Sequence, residues 1–307
     1  MPLQRTLSDF GFEHSFASGV DRLQEHYGFE ISKTTLARIT LKHAHQITKQ
    51  QGQRPNVGAL PKEGRPVLIA EADGTYLRIV QTTAAKDRRR TRKVDYREAR
   101  LCAAVAQGSR DTFYEATFKD VDEVGLLWAH AAKNAGWALN SKLHIVSDGA
   151  PWIHSQAQCI FAEQGTFLVD FYHLCQYLCE AAESCADKPS RWLKTQKKRL
   201  KTGHFQKVID ALEEHLEADN LADEQAPVRR AWRYMKNRSD CLNYHQAIAQ
   251  HLPIGSGLIE SGHKHVLQAR LKIPGAAWTL NNAEAFVQTR AIRANRQWQS
   301  YWDKIAA

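Results

Sequence analysis

No stretch of this chain approaches the roughly 20 consecutive apolar residues that a membrane-spanning helix needs. Met1 is followed by Pro2, Gln4, Arg5 and Asp9 instead of an apolar signal segment. The sequence therefore reads as that of a soluble, cytoplasmic protein. A Gly-x-x-x-x-Gly-Lys loop is missing as well, which argues against a nucleotide cofactor. The six cysteines, Cys102, Cys159, Cys175, Cys179, Cys185 and Cys241, include no pair at the spacing of a zinc knuckle. Cys175 and Cys179 sit four apart in a helical pattern and read as reduced residues of a packed helix. There is no internal repeat and no low-complexity tract.

What the chain does have is positive charge. Its 307 residues carry 42 Lys plus Arg against 33 Asp plus Glu, a formal net charge of +9. That balance favours polyanions, nucleic acid above all, through counterion release and long-range attraction. With 43% hydrophobic residues the chain can also bury an ordinary core.

The first fifty residues predict two helices. Phe16, Val20, Leu23 and Tyr27 form one stripe, Gly28 offers a stop, and Ser32 can cap a second helix with apolar positions at Leu36, Ile39 and Ile47. That second helix offers Lys33, Thr34, Arg38 and Lys42 to solvent. The pair suits a helix-turn-helix with its second helix in a DNA major groove; a plain helical hairpin fits the spacing equally well. Residues 48–65 collect Gln, Gly and Pro and read as a linker.

Beyond the linker, Pro66 to Val80 reads as two β-rich runs around Asp73-Gly74, a pair that predicts a hairpin turn or a bulge. Leu101–Ala106 and Leu143–Val146 are further strands, with an amphipathic helix over Val121–Ala135 between them. From Pro151 to Leu252 the pattern is almost entirely helical. Pro253-Ile254-Gly255-Ser256-Gly257 then opens a helix near Leu258, capped by Ser256. A last helix carries Val287, Ala291, Ala294, Trp298 and Tyr301 on one stripe.

Phosphoryl transfer on DNA uses two divalent metals about 4 Å apart, and hard cations such as Mg²⁺ take oxygen ligands. Asp73 and Asp148 both end strand candidates, and Glu260 lies in the first turn of a helix. Each Asp-Gly pair alone is most simply a turn. Two strand-end aspartates followed by a distant helix-borne glutamate are what a metal-dependent phosphodiester site asks for.

Four stretches carry a resemblance to a known family: Ala72-Asp73-Gly74-Thr75, Val146-Ser147-Asp148-Gly149-Ala150-Pro151-Trp152-Ile153, Asp170-Phe171-Tyr172-His173, and the C-terminal block. The block comprises Pro253 to Lys264, Arg270-Leu271-Lys272, Gly275, Trp278 and the closing helix. Over residues 15–305 the chain resembles the Kra-type insertion-sequence transposases of bacteria. The resemblance implies a mixed α/β, ribonuclease H-like fold and a DDE triad of Asp73, Asp148 and Glu260 holding Mg²⁺ or Mn²⁺, two ions in all. Asp170 and His173 match an Asp-x-x-His element that would brace the site or contact DNA near it. The 112 positions from Asp148 to Glu260 imply a helical insertion within the catalytic fold.

The expected parts are a helix-turn-helix and linker over 1–60, catalytic halves over 61–160 and 253–307, and a helical insertion over 161–252. Members of that family carry more sequence before the helix pair, so the resemblance predicts weaker end binding here. DNA contacts are expected from Lys33, Thr34, Arg38 and Lys42, from Arg88, Arg89 and Arg90 in the densest basic run, and from Lys264, Arg270 and Lys272. The basic patch Lys194, Lys197, Lys198, Arg199 and Lys201 suits a solvated face or DNA. The expected reaction is cleavage at transposon ends followed by strand transfer, on double-stranded DNA, by a homodimer or larger assembly. Two rivals remain: a truncated derivative that only binds DNA, and a nuclease that cuts without joining.

Overall fold

The computed structural model describes residues 2–53, 57–82 and 92–306. The chain is a mixed α/β protein. Helices α1 (Pro2–Glu13), α2 (Phe16–Tyr27) and α3 (Lys33–Gln51) lead into strands β1 (Val67–Thr82), β2 (Arg92–Ala106) and β3 (Phe113–Thr117). Helix α4 (Val121–Asn134), β4 (Lys142–Ser147), α5 (Pro151–Phe161) and β5 (Gly165–Val169) follow. A helical run then comprises α6 (Phe171–Cys185), α7 (Pro189–Lys201), α8 (Gln206–Glu213), α9 (Pro227–Lys236) and α10 (Tyr244–Ala249). The chain closes with α11 (Gly257–Gly262), a π-helical turn (His263–Gln268), α12 (Ala269–Leu271), α13 (Leu280–Ala294) and α14 (Trp298–Ala306). The sheet order is β3-β2-β1-β4-β5; β2–β3 is antiparallel, while β1–β4 and β4–β5 are parallel. No helix among the described residues is long and apolar enough to cross a membrane.

Two compact units emerge, and they cut the chain differently from the sequence-based parts. The first takes residues 1–65, 72–140 and 258–307; the second takes 66–71 and 141–257. The N-terminal helices are therefore not a separate domain. Phe12 of α1 and Ala44 and Ile47 of α3 share one buried core with Leu77, Ile79, Leu101, Phe286, Trp298 and Trp302. In the second unit Val146, Leu168, Phe171, Leu174 and Leu178 pack with Leu200, Ile209, Met235 and Tyr244.

Local chemistry sets the helix ends. Ser15, Ser32 and Asp120 cap α2, α3 and α4 by accepting from Ser18, Thr35 and Glu123 amides. Gly28, at φ 67°, closes α2 in the left-handed region that glycine tolerates best. Lys33, Thr34, Arg38 and Lys42 lie exposed on α3, while Leu36, Thr40, His43, Ala44 and Ile47 form its buried face.

Four expectations need correction. Asp73-Gly74 makes no hairpin, because β1 runs unbroken through it. The Glu98 side chain lies over Gly74: a Cβ there would stand 2.1 Å from Glu98 Oε1, so a larger residue would push that carboxylate aside. Leu101–Ala106 is only the end of the longer β2. Residues 165–169, read as helical, form β5, and β3 is a further strand that the pattern did not reveal. The closing stripe is two helices, broken where Arg296 takes φ 58°, and Ala294 is exposed.

His43 gives the first core a pH dependence. Its ring is buried, with Nδ1 2.7 Å from Tyr301 Oη and Nε2 3.0 Å from Gln4 Oε1. Burial, with the Lys42 charge adding to it, holds the imidazole down at about 4. The unfolded chain takes up this proton near the ordinary 6.5 and the folded chain does not until about 4. Stability is therefore complete above 6.5 and falls as pH drops through that window, by about 3 kcal/mol from this group. Denaturant titrations at pH 7 and pH 4 check this: His43→Gln should lose less on acidification than the intact protein.

Candidate active-site carboxylates and their supports

In the first unit, Asp73 sits on β1, partly exposed, and its Oδ1 accepts the amide of Gly74 at 2.7 Å. His263 Nε2 lies 3.2 Å from Asp73 Oδ2. That is ion-pair range, but the direction is off the hydrogen-bond line, so both ring nitrogens lack a hydrogen bond among the described residues. His263 is 4% exposed. It opens the π-helical turn one residue after α11, and Glu260 stands exposed three residues earlier. π-Turns inside helices gather at functional sites, because the extra residue re-aims side chains. The sequence shows His263 inside the matched C-terminal block but gives it no role; its spacing of three from Glu260 is the only signal for it.

In the second unit, Asp148 follows β4, and its Oδ1 accepts the Ala150 amide at 2.9 Å as the chain turns into α5. Gly149, at φ 80°, donates its amide to Ser147 Oγ at 3.1 Å. Helix α9 fastens this turn from outside. Tyr234 donates to the Asp148 carbonyl at 2.5 Å, and Arg238 donates through Nε and Nη2 to the Gly149 carbonyl at 3.2 and 2.8 Å. The Arg238 guanidinium also lies 4.3 Å over the Tyr234 ring. Burial, the first cause, pushes the Tyr234 hydroxyl well above its ordinary range, which keeps it a donor. Neither residue was legible in the sequence, because nothing local links position 148 to positions 234 and 238.

Asp170 has a structural task in the same unit. Its Oδ1 caps α6 by accepting from the Tyr172 and His173 amides at 2.6 and 2.9 Å. Its Oδ2 accepts from the Ser256 amide at 2.7 Å and from the Ser256 hydroxyl. The Ser256 hydroxyl thus ties the residues just before α11 to the start of α6. Phe171 N to Ile254 O, 2.8 Å, and His144 Nε2 to Pro253 O, 2.7 Å, fasten the rest of this loop. His173 packs beside Tyr177 and Tyr234. Asp170→Ala removes the helix cap and the loop anchor together, and should lower stability by about 3 kcal/mol in a urea titration. Asp170→Asn should cost less, since its oxygen still caps α6.

Arg270 departs from the expected DNA contact. It is 2% exposed, with Nε donating to Gly11 O at 3.1 Å and its guanidinium 4.8, 4.9 and 5.2 Å from the Phe16, Trp278 and Phe286 rings. A buried, ring-stacked guanidinium is not offered to a phosphate. Lys264 is exposed, and Lys272 is exposed with Nζ donating to Thr75 Oγ1 at 2.7 Å. Arg88, Arg89 and Arg90, with Lys86, lie outside the described residues. Asp73 and Glu260 belong to the first unit and Asp148 to the second. Among the described residues no group of three or more His, Cys, Asp or Glu side chains is arranged to hold a metal ion.

Comparison with known proteins gives relatives in Caldanaerobacter subterraneus subsp. tengcongensis. UPF0236 protein TTE0610/TTE0881/TTE1053/TTE2432 is 23% identical over 155 residues, 50% of this chain and 31% of the relative. UPF0236 protein TTE2489 is 25% identical over 158 residues, again 50% of this chain and 31% of the relative. The matched stretch thus spans less than a third of these relatives' own length. The sequence profile of the uncharacterised protein family UPF0236 matches residues 4–301, nearly the whole chain, so this protein belongs to the UPF0236 family.

Proposed function

We propose that this chain acts as a DDE transposase of a bacterial insertion sequence, cutting DNA at the element's ends and joining the freed 3′-hydroxyl to target DNA. One observation carries the reading. Strands β1 and β4 run parallel in register through Glu71↔Val146, and two residues further on stand Asp73, on β1, and Asp148, just past the end of β4. A helix-borne Glu260 completes the set. The sheet order, a three-strand first half continued by two parallel strands, supports a ribonuclease H-like catalytic fold. Helices α6 to α10 would be its insertion, and α2 with α3 its helix-turn-helix, presenting Lys33, Thr34, Arg38 and Lys42. Several UPF0236 members in one genome are also what a mobile element leaves behind.

The donor chemistry fits Mg²⁺ or Mn²⁺, since carboxylate oxygens are what these hard cations take. The residues that would hold them are Asp73, Asp148 and Glu260; bound there, the ions would activate the attacking oxygen and stabilise the leaving one. The protein's own part is to keep the carboxylates stiff. Tyr234 and Arg238 fix the Asp148 turn, and His263 backs Asp73. Asp170 fixes the loop that leads into the Glu260 helix.

A second reading is a UPF0236 derivative that binds DNA without cutting it, which the absence of a three-residue metal group among the described residues favours. Nicking of a labelled duplex carrying the element's ends, with Mg²⁺ or Mn²⁺, separates the two. Cleavage followed by joined products supports the transposase. Cleavage without joining leaves a nuclease, and binding without cleavage leaves the DNA-binding derivative.

A further inference from the structure

One face of the first unit's strands is unaccounted for by either core. Successive strand residues alternate between faces. On β1, Asp73, Thr75, Leu77 and Ile79 turn to the side of His263, Lys272 and the buried cluster. Gly74, Tyr76 and Arg78 turn the other way, and Tyr76 is 62% exposed. On the neighbouring β2, Glu98 lies against Gly74. Two residues from each of them toward the β1–β2 connection stand Tyr76 and Tyr96, and Tyr96 is 61% exposed. Two residues further on are Arg78 and Val94, both exposed, and then Arg92, exposed as well. Glu98 is matched by Arg100 at 2.6 Å, so the face is basic in balance. Helix α4 covers the sheet lower down, where Trp128 donates to the Ala103 carbonyl.

Two large aromatic rings left in water on neighbouring strands, bordered by arginines, need a partner with flat π faces and negative charge. Bases and phosphates of a single strand supply both, whereas a duplex hides its base faces in the stack. A second copy of the chain fits worse, because a two-fold contact sets the patch against itself and brings Arg78 and Arg92 toward their own equivalents.

We propose that the β1–β2 face bearing Tyr76 and Tyr96 is a stacking platform for unpaired bases of single-stranded DNA, with Arg78 and Arg92 on its phosphates. It rests on the proposed function for the source of the strand, the DNA freed beside a cut end. Its binding test does not depend on cleavage.

The test is fluorescence anisotropy of a labelled 20-nucleotide oligo(dT) titrated with intact protein, Tyr76→Ala, Tyr96→Ala and the two Tyr→Phe variants. Each Ala variant should weaken binding about tenfold, the scale of one lost base–aromatic stack. Each Phe variant should bind within twofold, since the ring does the work. Both Ala variants should keep the intact melting temperature, because the rings bury little. Unchanged binding in both Ala variants overturns the platform, as does no binding by the intact protein, or an equal loss on a duplex of the same length. A dimer of the intact protein that dissociates in the Ala variants also overturns it, because the rings would then be a self-contact. Ring-dependent binding without any nicking of end-bearing duplex leaves the platform standing and removes the transposase reading instead.

Discussion

On the proposed transposase reading, Asp148→Asn, Asp73→Asn and Glu260→Gln should each bring metal-dependent nicking of end-bearing DNA down by at least about a thousandfold, a loss of about 4 kcal/mol in transition-state stabilisation. Each change removes one negative charge from the proposed ligand set, which would have to balance divalent cations, yet keeps side-chain size. Folding should be nearly untouched. Asp73 and Asp148 each keep an oxygen for their one local amide, Gly74 or Ala150, and Glu260 is exposed. DNA binding without metal should persist in all three. Gel-resolved nicking and anisotropy on the same preparations check the two halves. Cleavage surviving in any one of the three would falsify that residue's place in the triad, and equal loss of binding would mean a folding defect.

Arg270→Ala should be the most destabilising single change at a position expected from sequence to touch DNA, at about 3–5 kcal/mol. Truncation removes the guanidinium from between three rings and leaves the Gly11 carbonyl without its donor. Burial, reinforced by the Arg290 charge, already holds the Arg270 pKa down to about 10, so the charge is held at a cost. Arg270→Met, which keeps the volume and drops the charge, should therefore be milder than Ala. Lys264→Ala, at an exposed site of the same region, should shift stability by less than about 0.5 kcal/mol. Guanidinium unfolding curves of the three variants decide it. A stable Arg270→Ala protein with weaker, less salt-dependent DNA binding would return Arg270 to the DNA surface.

Both results bear on how the family's members can be read. Three carboxylates and a basic surface are insufficient as evidence of activity when one matched basic residue turns out to be core. The supports around the carboxylates, Tyr234, Arg238, Asp170 and His263, are the better places to look for whether a given member keeps a stiff site.

Local signals were legible wherever the physics is local. Ser32 and Gly28 mark the ends of α3 and α2 because a hydroxyl cap and a left-handed glycine act within four residues. The Val121–Asn134 helix follows from its own period and its Asp120 cap. The strand that leads into Asp148 and the helix opening after Pro253 were legible for the same reason. Asp73-Gly74 misled, because a dipeptide common in turns here lies inside an unbroken strand, which its neighbours in sequence do not reveal.

The sequence by itself determined the mixed α/β character, several helix ends and which carboxylates are candidates, since these depend on periodicity, caps and residue chemistry within a few positions. Only the tertiary structure decided that the first fifty residues share a core with the last thirty, that Arg270 is buried among aromatic rings while Tyr76 and Tyr96 are bare, and that α9 grips the Asp148 turn. Those outcomes depend on burial and on contacts between residues tens to hundreds of positions apart, and neither is written in any local pattern.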